Sequence, residues 1–262
     1  METLNWSILG PAVFAGFLVL STHVPLGQEV LKRGIIFIDL AIAQIAGLGV
    51  LAAGVLGWEE HMWVVQLSAV SAALLASAGL SWTEKRWPSS QEPLIGILFV
   101  LAATGSILLL AGNPHGAQHM KDLLVGQILW TTWSSLIHMT LLYTVLLTVW
   151  YKWHEQIGHK GFYVIFAFAV TASVQFVGVY LVFASLIIPA LATQRLHGRR
   201  RLFTGYLLGG LAYIAGIGLS ALFDLPTGAV IVWTMAFLAI FAGSWLGRNH
   251  GKPETIYRTS IR

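Results

Sequence analysis

The feature that most constrains this chain is a series of apolar runs, most of them as long as a helix that crosses a lipid bilayer. Roughly 20 helical residues span the hydrocarbon core of a membrane. The runs cover residues 8–24, 35–57, 63–80, 94–111, 132–150, 162–192, 203–222 and 228–246. Only 10% of the residues are charged, against about 25% in a typical soluble domain. The composition excludes a soluble globular protein and a disordered chain, and it predicts an all-α polytopic helix bundle in a membrane.

One run is too long for a single straight crossing. Residues 162–192 would form a helix of about 46 Å at 1.5 Å per residue, whereas the hydrocarbon core is about 30 Å thick. Gly178 lies in the middle of this run and Pro189 near its end, so we expect two short segments that meet near Gly178. The sequence therefore predicts eight or nine transmembrane helices, some of them short or re-entrant, in a single transmembrane domain over residues 1–262.

The basic residues indicate how the bundle is oriented. With nine crossings and the N-terminus outside, the cytoplasmic segments are 25–34, 81–93, 151–161, 193–202 and 247–262. These segments hold all of the 15 lysine and arginine residues except Lys121, as expected if cytoplasmic loops carry positive charge. The N-terminus is predicted to lie outside and the C-terminus in the cytoplasm. The net charge of +4 then reflects topology rather than binding of nucleic acid.

Soluble catalytic chemistry has little room in this chain. The outer loops 58–62, 112–122 and 223–227 are short. The single Gly-Lys pair precedes Pro253, so it does not form a Walker A phosphate-binding loop. The sequence holds no cysteine, so any metal must be bound through nitrogen or oxygen. The chain is therefore predicted not to be an enzyme, and any ATP hydrolysis falls to a partner chain.

Three residues within the apolar runs are candidates for chemistry. Asp39 is costly to place in a membrane, so it either serves a transport path, pairs with Lys32 or Arg33, or caps a helix turn. Gln44 lies on the same span, but an offset of five residues turns it about 140° away from Asp39, so the two need not face one cavity. His138 lies within the fifth run, where it could bind a metal or a proton or form a hydrogen bond between helices.

The outer loops carry further histidines. His115 and His119 are four residues apart, which is a metal-chelating spacing if the segment is helical, although a proline and a glycine beside them argue against a full helix. His61 lies in another outer loop. The three histidines therefore form a candidate patch for metal capture. His23 ends the first run, where we expect it at the membrane interface.

A short segment that leaves the membrane on the cytoplasmic side is a candidate docking turn. An Ala-Thr-Gln interruption separates the apolar run from a cluster of arginines. A positive-inside anchor explains the arginines alone, whereas docking of a soluble partner also explains the interruption. The segment consists of Pro189, Ala190, Leu191, Ala192, Thr193, Gln194 and Arg195.

Four segments resemble the membrane permeases of ATP-binding-cassette importers for zinc, manganese and iron. Residues 177–190 resemble the family segment Val-Gly-x-Leu-Leu-Val-x-Ala-Leu-Leu-Ile-x-Pro-Ala, and residues 224–228 resemble its Asp-x-Pro-x-Gly signature. Residues 123–129, after the histidine loop, and residues 30–38, which lead into the second span, fit as well. The resemblance covers nearly the whole chain.

The second span departs from this family at its most important positions. The family usually reads Phe-Ile-Gly-Asp-Ala-Leu-Ser-His there, and its aspartate and histidine are thought to bind metal in the pathway. With Phe37 and Ile38 aligned, Asp39 stands where the family has glycine. Leu40 replaces the aspartate, and Gln44 replaces the histidine. Because an amide is a poorer transition-metal ligand than imidazole, either the site has moved to Asp39 and other side chains or the cargo differs.

The resemblance implies the pore subunit of an importer for a divalent transition metal, with zinc or manganese as the expected cargo, in the inner (plasma) membrane. Two copies of this permease domain would form the pore, and an ATPase subunit would dock on the turn after Pro189. A periplasmic or lipid-anchored metal-binding protein would deliver the cargo. ATP is used by the ATPase subunit, so no cofactor is expected on this chain.

Other functions remain compatible with the sequence. The permease could carry a metal chelate rather than a bare ion, as Leu40 and Gln44 indicate. A proton-coupled secondary transporter could use Asp39 and His138 as a relay, although no internal repeat supports that class. An intramembrane metalloprotease built on the outer histidines is disfavoured, because the glutamate that follows the first histidine of such motifs is missing.

Overall fold

The protein is a bundle of α-helices in the computed structural model, which describes residues 6–58, 61–111, 113, 116–153, 156 and 158–249. No strand occurs among these residues. The helices are α1 (Trp6–Arg33), α2 (Ile38–Val55), α3 (Met62–Arg86), α4 (Gln91–Leu110), α5 (Gly116–Val125), α6 (Trp133–Lys152), α7 (Gly158–Ala192), α8 (Gly198–Phe223) and α9 (Thr227–Asn249). The predicted all-α fold is confirmed.

Seven of the described helices, α1 to α4 and α6 to α8, are long and apolar enough to cross a membrane. α9 adds a shorter apolar stretch at Thr227–Gly243. Large apolar side chains such as Leu75, Leu108 and Phe241 are exposed on the outside of the bundle, as expected for a surface that faces lipid rather than water. The predicted polytopic membrane bundle is confirmed.

The first helix is longer than the first apolar run and packs against α6, α7 and α8. The loop predicted at 25–34 is wrong, because α1 continues through the buried Pro25 to Arg33. Proline is tolerated inside membrane helices when neighbouring helices pack around it. In the last turns Glu29 pairs with Lys32 at 3.8 Å and with Arg33 at 2.9 Å. With 28 residues, α1 is about 42 Å long and extends beyond the hydrocarbon core.

One end of the bundle collects the basic ends of several helices. α1 ends at Arg33, α3 at Arg86 and α6 at Lys152. The Arg33 guanidinium lies 4.3 Å from the centre of the Phe162 ring near the start of α7. Trp150, near the end of α6, lies 6.3 Å from the same ring, centre to centre. We call this end of the bundle the basic end and the opposite end the far end.

The longest helix, α7, consists of two arms that meet at Gly178, where the backbone leaves helical geometry (φ 76°, ψ 162°). In the first arm, Phe162 lies against Arg33, and the Ser173 hydroxyl lies 3.2 Å from the His23 ring. Residue numbers thus rise along the first arm as they fall along α1. The first arm begins at the basic end and runs antiparallel to α1 toward the far end.

The second arm of α7 returns to the basic end. Its Ser185 hydroxyl is hydrogen-bonded at 2.9 Å to Tyr213, whose ring covers Gly16 of α1. Further along the arm, Ala190 packs on Gly27. The second arm therefore runs parallel to α1 and opposite to the first arm. At about 21 Å it is too short to cross the core alone. The prediction that two short segments meet near Gly178 is confirmed.

Two glycines hold the tip between the arms in place. Gly178 packs main chain to main chain against Gly126, which follows α5. Both have positive φ, 76° and 70°, and a Cβ on either would overlap main-chain atoms of Val177 or Val125 in the other segment. Only glycine fits both the conformation and the separation. The end of α5 is therefore locked onto the tip of α7.

Substitution of Gly178 by alanine tests this contact. We expect Gly178→Ala to lower the stability of the folded protein by more than about 2 kcal/mol, because it combines an unfavourable φ with overlap of main-chain atoms. Gly96→Ala is the matched control, since nothing lies within 4 Å of the added methyl group and alanine favours a helix. The measurement is the thermal unfolding midpoint in detergent. An unchanged midpoint for Gly178→Ala would contradict the described tip.

Candidate functional site

A cavity of about 650 Å³ lies beside the second arm of α7, between α2, α4, α5 and α9. Leu40 and Gln44, one helical turn apart on α2, both line it. The rings of Phe99, Tyr180 and Trp233 line it from α4, α7 and α9. The remaining described lining residues are all apolar. The cavity therefore lies within the membrane-spanning part of the bundle and has a mainly hydrophobic wall.

A second groove of about 390 Å³ continues from the cavity to the basic end. Ile188 of α7 lines both spaces, and α9 contributes to both walls. Leu191, Gln194 and Arg195 line the groove at its basic end. The cavity and the groove together follow the second arm of α7 from Val179 to the turn beyond it. We call this combined space the path.

Asp39 does not line the path. Its side chain is fully buried, and neither carboxyl oxygen has a hydrogen-bond partner in the described part of the chain. The predicted pairing with Lys32 or Arg33 is not formed, because both cations pair with Glu29 of their own helix. Gln44 faces the cavity while Asp39 faces the interior, as the offset of about 140° between them allows.

The start of α2 is stabilised by a residue from α4. The main-chain N–H of Phe37 donates a hydrogen bond to the Glu92 carboxylate at 3.2 Å. The first N–H groups of a helix lack intrahelical partners and attract negative charge. Asp39 forms no cap of its own at this end, so the sequence-based alternative of a cap at Asp39 is wrong and Glu92 takes that role.

A polar cluster that the sequence did not predict lies buried between α1, α6 and α7. His23 donates from Nδ1 to a main-chain carbonyl of α1 at 2.8 Å, which leaves Nε2 facing the Ser173 hydroxyl at 3.2 Å. The Tyr143 hydroxyl donates to a main-chain carbonyl of α7 at 2.9 Å. The predicted interfacial position of His23 is wrong, because α1 extends ten residues past it.

His138 lies on the exposed face of α6 and lines neither part of the path. It forms no hydrogen bond with any residue that the structure describes. Asp39, by contrast, is fully buried. The chain therefore does not bring Asp39 and His138 together as a proton relay, and His138 does not form the predicted hydrogen bond between helices.

The predicted outer metal-capture patch is only partly described. His61 is exposed just before α3, and His119 is exposed on α5, where it lines a small cavity of about 290 Å³. His115 lies outside the described residues. Among the residues that are described, no group of three or more histidine, aspartate or glutamate side chains is placed to hold a metal ion. His61 and His119 alone do not make a metal centre.

The candidate docking turn divides into buried and exposed residues. Pro189 and Ala190 are buried in the end of α7, and Ala192 is half-buried. Thr193 is buried after the helix end, where its hydroxyl donates to the Pro189 carbonyl at 2.7 Å. Leu191, Gln194 and Arg195 are exposed beside the path. The surface that the segment offers to a partner therefore consists of these three side chains.

A helix bundle whose internal path follows a re-entrant helix to an exposed turn has the architecture of a membrane permease. The sequence matches the ABC 3 transport family over residues 5–160 and 156–245. The chain belongs to this family. The resemblance to importer permeases that the sequence motifs indicated is confirmed.

Curated relatives are membrane proteins of metal transport systems. The chain is 24% identical over 258 residues to the high-affinity zinc uptake system membrane protein ZnuB of Haemophilus influenzae. That alignment covers 90% of this chain and 97% of the relative. The chain is 25% identical over 262 residues to the manganese transport system membrane protein MntC of Halalkalibacterium halodurans. This second alignment covers 92% of this chain and 88% of the relative.

Solved transporter structures share the fold. PsaBC from Streptococcus pneumoniae, solved in complex with Fab, aligns with a TM-score of 0.72 and 18% identity over 95% of this chain and 96% of that chain. An ABC transporter described as metal-chelate type, in an inward-facing conformation, aligns with a TM-score of 0.65 and 14% identity over 90% and 83% of the two chains. At these identities the likeness shows the fold alone.

Two histidine substitutions test the buried cluster. We expect His23→Phe to lower the stability of the folded protein by about 1 to 3 kcal/mol, because it removes buried hydrogen bonds. His138→Phe is the matched control and should change stability by less than about 0.5 kcal/mol, because its side chain is exposed. Thermal unfolding in detergent measures both. Equal effects of the two substitutions would contradict the assignment of His23 to a structural cluster.

Proposed function

We propose that this chain is the pore-forming membrane subunit of an ATP-driven importer for a divalent transition metal, with zinc or manganese as the metal. The observation that carries the proposal is the path, which leads along α7 to an exposed turn in a chain of the ABC 3 transport family. The two metals come from the names of the curated relatives.

The pore is proposed to contain two copies of the chain, each acting as a single permease domain. Tyr180 and Trp233 line the cavity, yet 53% and 65% of their surfaces are exposed. Exposed aromatic residues beside an open cavity suit an interface with a second copy. With two-fold symmetry, the two cavities would face each other and each copy would contribute the same residues to the path.

An ATPase subunit is proposed to dock on Leu191, Gln194 and Arg195. The hydrogen bond from Thr193 to Pro189 ties this turn to the second arm of α7. When ATP closes the ATPase pair, movement of the turn would pass to the arm that lines the cavity. ATP is used by the partner alone, so this chain needs no cofactor and performs no covalent step.

The chain is proposed to lie in the inner (plasma) membrane with its basic end in the cytoplasm. Basic residues concentrate on the cytoplasmic side of membrane proteins, and the helix ends at Arg33, Arg86 and Lys152 share one end of this bundle. The N-terminus is then outside and the C-terminus cytoplasmic. A periplasmic or lipid-anchored metal-binding protein is proposed to deliver cargo at the far end.

Single cysteines in this cysteine-free chain test the orientation. Gln118 on α5 and Gln194 in the docking turn are both exposed, so substitution of either should leave the fold intact. An impermeant thiol reagent should label Gln118→Cys in intact cells and Gln194→Cys only after the membrane is opened. Labelling of Gln194→Cys from outside in intact cells would reverse the proposed orientation.

A charge placed on the docking turn tests the contact with the ATPase. Leu191→Glu puts a carboxylate on an exposed apolar position and should reduce co-purification of the ATPase and ATP-driven metal uptake by about tenfold or more. Ser89→Glu is the matched control, because it adds the same charge to another exposed turn at the basic end. Both variants should insert normally. Full partner binding by Leu191→Glu would place the docking site elsewhere.

A further inference from the structure

We propose that the cavity accepts its metal as a neutral chelate complex with a small organic ligand, and not as a bare ion. The inference rests on the proposed function, because it takes the cavity to be part of the transport path. It names the chemical class of cargo that this path carries: a metal chelate whose outer surface is apolar or aromatic.

The cavity offers few donor atoms to a metal. Among the described residues that line it, side-chain atoms with a lone pair for a metal come only from the Gln44 amide, the Tyr180 hydroxyl and the Met120 thioether. The indole N–H of Trp233 also lines the cavity, but it is a hydrogen-bond donor only. Zinc in proteins is bound by imidazole, thiolate or carboxylate groups, and manganese favours carboxylate and carbonyl oxygens. Neither a carboxylate nor an imidazole is found among those lining residues, and the sequence has no cysteine.

A bare divalent ion would therefore be poorly held in this cavity. An ion that leaves water for apolar surroundings loses many kcal/mol of hydration energy unless ligands replace its water shell. Asp39 lies close in sequence but is buried away from the cavity. A second copy related by a two-fold axis would add the same lining residues, so the facing cavity would not supply the missing ligands.

The same wall suits a small organic molecule. Small-molecule sites are typically cavities of about 300 to 1,000 Å³ with mostly apolar walls and a few polar groups, and this cavity measures about 650 Å³. The rings of Phe99, Tyr180 and Trp233 can pack on flat groups of a ligand. The Gln44 amide can both donate and accept hydrogen bonds and would orient the ligand. A chelating ligand supplies the donor atoms that coordinate the metal and neutralises its charge.

Zinc binding by the purified permease and ATPase complex tests whether the cavity holds a bare ion. Without organic ligand, the wild type and Gln44→Leu should bind zinc equally, because the cavity contributes no site. A variant that combines Leu40→Asp with Gln44→His should bind zinc about tenfold more tightly or better, because a carboxylate and an imidazole then face the same cavity one turn apart. A wild-type zinc site that weakens tenfold in Gln44→Leu would overturn the inference.

Transport into proteoliposomes that contain the whole transporter tests whether a complex is carried. Zinc supplied as its neutral complex with two histidines, with separate labels on zinc and histidine, should bring both labels inside when ATP is present. Zinc without ligand should enter about tenfold more slowly. Zinc that enters at the same rate without histidine would overturn the inference and leave the proposed function standing. No ATP-dependent uptake of either zinc or manganese, with or without histidine, by a complex that hydrolyses ATP, would contradict the proposed function itself.

Two substitutions on α4 test the aromatic wall. Phe99 lines the cavity, whereas Leu101 lies about 200° further around the helix and is exposed. Phe99→Ala should reduce uptake of the zinc–histidine complex about tenfold without changing the amount of folded protein, and Leu101→Ala should leave uptake unchanged. Equal uptake by the two variants would overturn the role of the aromatic wall.

Discussion

The contact between the main chains at Gly126 and Gly178 determines where the functional surfaces of this protein lie. It joins the end of α5 to the tip of α7, and the start of α9 packs on the same place, because a Cβ on Gly228 would meet the Val125 carbonyl. These three helices supply most of the cavity wall. A side chain at Gly126 or Gly178 would therefore displace the helices that define the path.

The second helix separates two environments that the protein keeps apart. One face of α2 places Asp39 in the buried interior of the bundle, and another places Leu40 and Gln44 in the apolar cavity. The acidic side chain is therefore kept away from the path, and the side chains of α2 that line the path are uncharged. This division favours a cargo that does not need ligands from the protein.

The sequence predicted those features that depend on local residues. The break at Gly178, the end of α7 near Pro189 and the membrane bundle all follow from the length of an apolar run and the glycine and proline within it. The positions of His23, Asp39 and Glu92 were not predicted, because they depend on helices that are distant in sequence. His23 meets Ser173 and Phe37 meets Glu92, and hydropathy does not show which helix covers which face. The charged turn Glu29–Arg33, at helical spacing after the first run, was the local signal that α1 continues.

The hydrogen bond from Thr193 to Pro189 has a mechanical consequence. It ties the turn to the second arm of α7, and the glycine contact at Gly178 holds the other end of that arm at the far end of the bundle. An arm held at one end moves most at the other, so if the proposed ATPase contact pulled on the turn, Ile188 would move further than Val179. The path would therefore widen first at the basic end while its opposite mouth stays closed, which keeps the two sides of the membrane from being connected.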